Sequence, residues 1–512
     1  MDKTTPAVAL RGITKTFGPV VANDHVDLDI RRGEILALLG ENGSGKTTLM
    51  NMLSGIYYPD EGQIFIDGEE VSIRSPKDAF DHKIGMIHQH FKLVDVLTAT
   101  ENIILGLEKR GRLDLKAAAR RIREICDAYG FVIDPDQKIY EMSVSQKQTV
   151  EIVKVLYRGA DILILDEPTA VLTPQETDRL FAVLRSMRED GKAIVIITHK
   201  MHEVLDLSDR VAVLRKGQYI GEMATKDTNA QEMTDMMVGR SVSLNIRRPD
   251  PVDPKPRIVV EGLTVRSPEG VLKLEDVSFE IRSGEILGIA GISGSGQKEL
   301  LEAIAGLQRV ESGDIWYVED DGTKDRLIGK DPLEIQKLGV ALSFVPEDRL
   351  GMGLVANMDL SDNMMLRSFR EGHSVFTDRK HPHDLAEKVV DELEVNTPGV
   401  STMVRRLSGG NVQKVLVGRE ISSAPKVLLT AYAVRGLDIN SSYTIYDLLN
   451  RQKEAGVAVV YVGEDLDVLL ELADRIVVLC GGRVSGTVDG RTADKNEVGL
   501  MMTRLGGGKE LA

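Results

Sequence analysis

One run near the N-terminus of the chain is Gly40-Glu41-Asn42-Gly43-Ser44-Gly45-Lys46-Thr47. It follows the apolar segment Ile35–Leu39, which has the length of a buried strand, and a helical segment is expected from Thr47 onward. A glycine, four residues and then glycine-lysine-threonine between a strand and a helix is the pattern of a phosphate-binding loop. The glycines let backbone N–H groups converge on phosphate oxygens, Lys46 reaches the outer phosphates, and the Thr47 hydroxyl coordinates Mg²⁺. This part of the chain is therefore predicted to bind nucleotide phosphates together with Mg²⁺.

A pair of carboxylates, Asp166-Glu167, ends a second apolar segment, Ile162–Leu165. Ligands of α/β folds bind at the carboxyl ends of the parallel strands, so this pair is expected near the phosphate loop. We predict that Asp166 holds the metal ion through its coordination shell and that Glu167 polarises the attacking water.

The chain contains an internal duplication. The segment Gly33–Leu36 recurs as Gly284–Leu287, and Asp209–Leu214 recurs as Asp474–Leu479. A repeat of this size is a duplicated domain. Prolines at positions 249, 251, 254 and 256 exclude a helix there and favour an extended connection. We predict a first domain at residues 1–244, a linker at 245–256 and a second domain at 257–512.

Composition and charge exclude several classes of protein. The net charge is −15, from 64 lysines and arginines against 79 aspartates and glutamates, which argues against a general nucleic-acid binder. No apolar run approaches the roughly 20 residues that a membrane-spanning helix needs, so any role at a membrane is expected to depend on a partner. Cys126 and Cys480 lie in different halves, which excludes a disulfide framework and indicates a reducing, cytosolic compartment.

Further motifs make the chain resemble the ATP-binding-cassette ATPases. The segment Leu407–Asn411 is similar to the leucine-serine-glycine-glycine-glutamine signature of that family, and Met142–Gln146 is a worn copy. Gln89 resembles the glutamine that links the metal site to the helical part, His199 the histidine that contacts the γ-phosphate, and Phe17 the aromatic that stacks on adenine. The resemblance implies an α/β fold of two P-loop NTPase cassettes in tandem, each with a RecA-like core, a small antiparallel β part and a helical subdomain.

The resemblance also implies a role for individual residues, with ATP and Mg²⁺ as cofactors. The implied catalytic residues are Glu167, His199, Lys46 and Gln89. The implied metal-binding residues are Thr47, Gln89 and Asp166. The implied ATP-binding residues are Phe17, Gly40, Asn42, Gly43, Ser44, Gly45, Lys46, Thr47, Thr48, Ser408, Gly409 and Gly410.

The second half lacks most of these groups. It carries Gln297, Lys298, Ala431, Tyr432 and Glu464 where the first half has Lys46, Thr47, Asp166, Glu167 and His199. The turn Tyr432-Ala433-Val434 also departs from the glutamine-proline-threonine expected in the family, which leaves its geometry open. Two cassettes of this family pack head to tail. The resemblance therefore implies one complete ATP site, with Ser408–Gly410 facing the first half's loop, and one incomplete site with Met142–Gln146. Only the complete site is predicted to hydrolyse ATP.

The tandem arrangement resembles that of sugar and nucleoside importers, whose ATPase is a fused double cassette. The runs Ile87–Phe91 and Gly294–Gln297 are similar to the nucleoside branch, whereas Val345–Arg349 is shared with the pentose and hexose branch. The implied partners are transmembrane permease subunits, contacted through Leu97–Ile104 and Leu354–Asn363, and indirectly an extracellular or periplasmic solute-binding protein. No nucleic-acid partner is implied, and the implied location is the cytoplasmic face of the inner membrane, as a peripheral subunit.

The sequence leaves three alternatives to a nucleoside importer. The first is the ATPase of a pentose or hexose importer. The second is a soluble tandem-cassette ATPase acting on ribosomes or other cytosolic machinery, but such proteins resemble two intact cassettes joined by a long charged helical linker. The third is a scaffold that binds nucleotide without hydrolysis, against which the intact Lys46, Asp166, Glu167 and His199 argue.

Overall fold

The computed structural model divides into two compact units, residues 1–243 and 244–512. Each unit is described by itself. The described residues are 5–89, 91–107, 114–169, 172–198, 200–239, 245–267, 270–292, 294–344, 353–369, 377–421, 425–435, 437–463, 465–505 and 509–510.

The first unit is built around a six-stranded sheet in the order β10-β9-β3-β8-β7-β6, which is parallel except for the edge strand β10. The strands β3, β7 and β8 are apolar along almost their whole length and buried on both faces, as expected for parallel strands covered by helices. The strands are β3 (Glu34–Leu39), β6 (Ile84–Ile87), β7 (Ile162–Asp166), β8 (Ala193–Ile197), β9 (Arg210–Arg215) and β10 (Gln218–Ala224).

A second, four-stranded antiparallel sheet in the order β2-β1-β4-β5 packs on the first unit's core through the apolar face that includes Val8, Leu10 and Ile64. Its strands alternate buried and exposed positions, which is typical of a sheet with one solvated face. They are β1 (Val8–Phe17), β2 (Val20–Ile30), β4 (Glu61–Ile66) and β5 (Glu69–Val71).

The helices of the first unit fall into two groups. Three of them, α3, α4 and α5, enclose their own small core around Ile103, Ile122 and Val153, which forms the helical subdomain. The others flank the parallel sheet. The helices are α1 (Lys46–Leu53), α2 (Pro76–Asp81), α3 (Ala99–Ile104), α4 (Leu115–Tyr129), α5 (Val144–Tyr157), α6 (Pro174–Glu189), α7 (Met201–Leu207) and α8 (Ala230–Val238).

The second unit repeats this plan and adds a two-stranded antiparallel sheet, β21-β22. Its core sheet has the order β20-β19-β13-β18-β17-β16, and its antiparallel sheet has the order β12-β11-β14-β15. The strands are β11 (Pro256–Arg266), β12 (Leu272–Arg282), β13 (Ile286–Ala290), β14 (Val310–Val318), β15 (Lys324–Arg326), β16 (Val340–Phe344), β17 (Val427–Ala431), β18 (Ala458–Val462), β19 (Arg475–Cys480), β20 (Arg483–Asp489), β21 (Arg504–Leu505) and β22 (Lys509–Glu510).

The helices of the second unit also follow the first. They are α9 (Gln297–Ile304), α10 (Pro332–Lys337), α11 (Leu360–Ser368), α12 (Lys380–Glu392), α13 (Gly409–Ile421), α14 (Ile439–Glu454), α15 (Leu466–Leu472) and α16 (Lys495–Thr503). The predicted fold class, two α/β cassettes each with an antiparallel part and a helical part, is confirmed. Within the described residues, no helix combines the length and the apolar character that crossing a membrane requires.

The segment predicted as the linker is partly bound to the second unit. Ile246 is buried in the second unit's core. The Arg248 guanidinium donates to the carbonyl oxygens of Leu470, Ala473 and Gly490 at 2.8–3.1 Å. Residues 246–249 therefore form a strap on that unit, while the exact domain boundaries remain predictions.

A buried ion pair holds this strap. Lys453 Nζ lies 2.8 Å from Asp474 Oδ1, and the two side chains are only 1% and 6% exposed. The same ammonium donates to the Pro249 carbonyl oxygen. Asp474 Oδ2 also accepts the Ile286 N–H at 2.9 Å, so this pair connects the strap to the first strand of the core sheet.

We expect Lys453→Met to lower the free energy of unfolding of the chain by about 3 kcal/mol, because it removes the nearer cation from the buried Asp474 carboxylate and leaves only the Arg491 guanidinium at 3.4 Å. The matched control is Lys388→Met, which breaks an exposed i,i+4 pair with Glu392 (3.9 Å, 59% and 39% exposed) and should cost less than about 0.5 kcal/mol. Urea-induced unfolding of both variants measures the difference. Equal losses would contradict the assignment of the strap to the second unit's core.

Candidate nucleotide site

The loop between β3 and α1 has a conformation that depends on glycine. A Cβ atom on Gly40 would lie 2.3 Å from the Leu214 carbonyl oxygen, and one on Gly45 would lie 2.3 Å from the Ala22 carbonyl oxygen. Gly43 and Gly45 have φ values of +82° and +95°. Gly45 is the N-cap of α1, and no side chain caps this helix start, which leaves the first-turn N–H groups facing the loop. The loop therefore has the shape and the backbone donors of an anion cradle.

The side chain of Lys46 lies along this cradle. It is 8% exposed, and Nζ donates to the carbonyl oxygens of Gly40 at 2.7 Å and Glu41 at 2.9 Å. Burial lowers the pKa of the ammonium, whereas the nearby Glu167 and Asp166 carboxylates act in the opposite direction. A cation is thus held at the phosphate loop.

Thr47 and Asp166 meet across the sheet edge. The Thr47 hydroxyl donates to Asp166 Oδ2 at 3.2 Å. Burial raises the pKa of the Asp166 carboxyl to about 6, with the Glu167 charge adding to this effect and the Thr47 hydrogen bond opposing it. A hydroxyl and a buried carboxylate at hydrogen-bond distance are hard oxygen ligands of the kind that Mg²⁺ prefers, so these residues fit the implied ion.

Glu167 occupies a left-handed turn, with φ +46°. Its N–H donates to the Ile197 carbonyl oxygen at 2.9 Å, which fixes the turn to the neighbouring strand β8. Gln89 Nε2 donates to Glu167 Oε2 at 3.0 Å. The structure therefore brings together Gln89, Glu167 and, through Asp166, the phosphate loop.

The remaining predicted residues are placed differently. Phe17 lies at the end of β1, is 43% exposed, and makes an edge-to-face contact with Tyr57 at 5.2 Å between ring centroids. Tyr57 was not among the residues predicted for the site, because no sequence motif marks a single tyrosine. His199 lies outside the described residues, as does its counterpart Glu464.

The second unit keeps the shape of the site without its chemistry. Gly294 and Gly296 have φ values of +87° and +97°, close to those of Gly43 and Gly45. Gln297 is 6% exposed and donates from Nε2 to the Ile292 carbonyl oxygen at 3.3 Å, so an uncharged amide occupies the position of Lys46.

The left-handed turn that carries Glu167 in the first unit is also present in the second unit, without the carboxylates. Tyr432 has φ +57°, and its N–H donates to the Val462 carbonyl oxygen at 2.9 Å. The Glu167 N–H donates to the Ile197 carbonyl oxygen at the same distance. The geometry of this turn, which the sequence left open, is therefore retained. The buried Ala431 supplies no metal ligand beside it. Among the described residues of the second unit, Ala431 and Lys298 stand at the positions of Asp166 and Thr47 and offer no oxygen ligand for Mg²⁺.

The two signature segments differ at their helix starts. In the first unit, Ser143 and Gln146 form a reciprocal capping box, with bonds of 2.9 and 3.2 Å, and the exposed Val144 follows. In the second unit, Ser408 Oγ accepts from Asn411 Nδ2 at 2.9 Å, and a Cβ on Gly410 would meet nothing within 4 Å. An open cavity of about 740 Å³ adjoins Ser408. The intact signature therefore combines a side-chain-free position at Gly410 with an adjoining open cavity.

In the first unit, a phosphate loop, a buried lysine and the two carboxylates that follow a strand lie together at one edge of a parallel sheet. The second unit repeats this arrangement without the lysine and the carboxylates. These features define a P-loop ATPase with two nucleotide-binding domains. The family model described as ABC transporter matches residues 23–170 and again 274–430. The chain belongs to the ABC transporter family, as one of its ATP-binding-cassette ATPases.

Curated relatives match over nearly the full chain. The nucleoside import ATP-binding protein NupA of Lactococcus lactis subsp. cremoris is 42% identical, over 96% of this chain and 96% of that protein. The guanosine import ATP-binding protein NupO of Bacillus subtilis is 41% identical, over 97% of each. The glucose import ATP-binding protein TsgD13 of Haloferax volcanii is 40% identical, over 99% of this chain and 97% of that protein.

A solved structure, the archaeal ribosome recycling factor aABCE1 in complex with the ribosomal stalk protein aP1, has a TM-score of 0.59 at 16% identity. The match covers 91% of this chain and 87% of that one. At this identity the likeness concerns the fold alone.

We expect Gly45→Ala to weaken ATP binding by more than about tenfold, which corresponds to about 1.4 kcal/mol. The physical reason is that the new Cβ would overlap the Ala22 carbonyl oxygen, which is main chain and cannot move aside. Gly43→Ala is the matched control, because its Cβ would meet nothing within 4 Å although φ is also positive. Equilibrium ATP binding measures both variants, and equal losses would show that strain, not overlap, determines the effect.

Proposed function

We propose that the first unit's site hydrolyses ATP and that the second unit's site does not. The observation that carries this proposal is the convergence of Lys46, Thr47, Asp166 and Glu167 at one sheet edge, set against Gln297, Ala431 and Tyr432 at the same positions of the second unit. A duplicated scaffold has thus kept the reactive groups in one copy only.

The proposed mechanism assigns one task to each group. The loop N–H groups and Lys46 bind the phosphates and offset the charge that develops on them. Thr47, Asp166 and Gln89 would hold Mg²⁺, which when bound supplies further charge neutralisation at the phosphates. Glu167 accepts a hydrogen bond from the attacking water and orients it.

Three further groups complete the proposed site: the Ser408–Gly410 signature, His199 and Phe17. Ser408–Gly410 is proposed to cap the γ-phosphate of the ATP held by the first unit's loop. The open space at Gly410 and the open cavity at Ser408 support that role. His199 is proposed to contact the same phosphate, and Phe17 the adenine.

We expect Glu167→Gln to abolish essentially all ATP turnover while ATP still binds, because the amide removes the water-orienting carboxylate and leaves the phosphate loop unchanged. Loss of such a group commonly costs several kcal/mol of barrier, and about 1.4 kcal/mol is already tenfold in rate. Steady-state ATPase rates and ATP binding of the full chain measure the two effects. Substantial residual turnover in Glu167→Gln would contradict the one-site mechanism.

A matched pair of variants separates the two signatures. Ser408→Arg should block the γ-phosphate cap and reduce turnover as strongly as Glu167→Gln, whereas Ser143→Arg in the worn signature should leave much more activity. Gln297→Lys alone should create no second active site, since Ala431 and Tyr432 still supply no carboxylate. Equal damage from Ser408→Arg and Ser143→Arg would overturn the assignment of the hydrolytic site.

We further propose that the chain energises the import of nucleosides, through transmembrane permease subunits at the cytoplasmic face of the membrane and with an extracellular or periplasmic solute-binding protein. The support is the naming of two relatives, at 42% and 41% identity, as nucleoside and guanosine import proteins. The 40% identical glucose import relative supports a sugar importer as the second candidate. The docking segments Leu97–Ile104 and Leu354–Asn363 remain predictions.

The companion solute-binding protein gives the direct test of the substrate. We expect calorimetric binding of a nucleoside such as guanosine and no binding of ribose or glucose at equal concentration. A companion protein that binds a free sugar and ignores nucleosides would replace the first candidate by the second.

A further inference from the structure

A buried polar cluster lies beside the proposed site in the first unit. Glu203 accepts hydrogen bonds from the Thr169 hydroxyl at 2.5 Å and from the Thr198 hydroxyl at 3.2 Å. The Lys200 ammonium lies 3.2 Å from the same carboxylate, and the Lys200 N–H donates to Thr198 Oγ1 at 3.1 Å. The side chains of Thr169, Thr198 and Glu203 are only 2–4% exposed. We refer to Thr169, Thr198, Lys200 and Glu203 as the Glu203 cluster.

The cluster joins the two chain segments that carry the proposed catalytic groups. Thr169 lies two residues beyond Glu167, on the turn after β7. Thr198 directly follows β8 and directly precedes His199. Glu203 reaches both hydroxyls from α7, with one carboxylate oxygen for each. The carboxylate therefore connects the ends of two neighbouring parallel strands.

The second unit has the same backbone and none of this cluster. The strands β17 and β18 and the helix α15 have the same lengths as β7, β8 and α7, at positions 265 residues later. The cluster positions are there occupied by Val434, Gly463, Asp465 and Val468. The fold of this region consequently does not need a buried carboxylate.

The left-handed turn does not need it either. Tyr432 takes the same conformation as Glu167 and makes the same hydrogen bond to its neighbouring strand, in the unit without the cluster. Removing a carboxylate from water is unfavourable unless it is fully hydrogen-bonded, and replacing a whole buried polar cluster by apolar residues is often at least as stable. A costly buried group retained only beside the intact site points to a role in that site.

We propose that Glu203 is a positioning residue for ATP hydrolysis, which fixes the turn carrying Glu167 against the strand end carrying His199. This inference rests on the proposed function of the first unit. Glu203 itself touches neither ATP nor the attacking water. It acts by limiting the relative movement of two segments whose side chains must address the same phosphate, and small misplacements of catalytic groups are expensive in rate.

The hydrogen bonds of the cluster are mutually dependent. One carboxylate serves both threonines, and Lys200 contacts Glu203 and Thr198 at once. Buried networks of this kind are worth more than the sum of their pairs, so loss of any member loosens the whole connection. We therefore expect substitutions in the cluster to act on one common property, the alignment of Glu167 and His199.

The test uses Glu203→Val in the full chain, which copies the residue that the second unit carries in the same fold. We expect kcat for ATP to fall on the order of 10- to 100-fold, with ATP affinity close to that of the unsubstituted chain. The thermal unfolding midpoint should fall as well, because valine leaves the buried Thr169 and Thr198 hydroxyls without their acceptor. The phosphate loop and Lys46 make no contact with the cluster among the hydrogen bonds of the described residues, which is why binding should persist. Thr198→Val should lower kcat similarly, and Thr198→Ser, which keeps the hydroxyl, should restore it.

Double substitution adds a readout that loss of stability alone would not produce. Because the cluster acts as a unit, Glu203→Val combined with Thr198→Val should reduce kcat little further than either change alone. Unchanged kcat in Glu203→Val, or equal kcat in Thr198→Ser and Thr198→Val, overturns the inference. A fall of ATP affinity in parallel with kcat shows a structural role and overturns it as well.

Failure of the inference can be separated from failure of the proposed function. If Glu167→Gln is inactive and Glu203→Val retains full kcat, only the positioning role is wrong. If Glu167→Gln itself retains full kcat, the hydrolytic site has been misassigned, whatever the Glu203 variants do.

Discussion

Parallel pairing of β3, β8 and β7 is the constraint on which the site depends. The register places Leu38 beside Ile197 and Ile197 beside Asp166, so that three strands end at one level of the sheet. Three segments therefore lie side by side at this edge of the sheet: the phosphate loop, the strand end before His199 and the turn that carries Glu167. The same register holds in the second unit, where Ala431 lies beside Val462. Backbone hydrogen bonding, common to both copies, thus builds the place where chemistry can occur, and side chains decide whether it does.

The two units separate scaffold from function within one molecule. Asp209 and Asp474 each accept the N–H of the equivalent isoleucine in the first core strand, Ile35 in β3 or Ile286 in β13, at 2.9 Å. Each unit also pairs an arginine with a glutamate at the base of this strand. These contacts are kept in both copies, whereas Lys46, Asp166, Glu167 and the Glu203 cluster are kept in one. What the fold needs and what hydrolysis needs can therefore be told apart by comparing a chain with itself.

The sequence predicted the tandem cassettes and most of the site because those features depend on local patterns. Apolar runs of strand length, a glycine-lysine-threonine loop and an acidic pair after a strand are all readable along the chain. The left-handed turn at Tyr432 was not predictable, because its conformation follows from a hydrogen bond to Val462 on another strand. The strap at Arg248 and the Glu203 cluster were missed for the same reason, since they join residues far apart or buried together without a motif. The only sequence signal for the cluster was the replacement of Thr169, Thr198 and Glu203 by apolar residues or glycine in the second half.

Because Gln297 is buried, single substitutions that restore one group of the second site are unfavourable. Lysine at this buried position would place an ammonium where Ala431 and Tyr432 offer no carboxylate to balance it. Aspartate in place of the buried Ala431 would bury a carboxylate while the lysine position is occupied by the uncharged Gln297. Each single reversion costs stability before any of them restores function. A second working site would therefore require several substitutions at once, at positions 297, 298, 431 and 432.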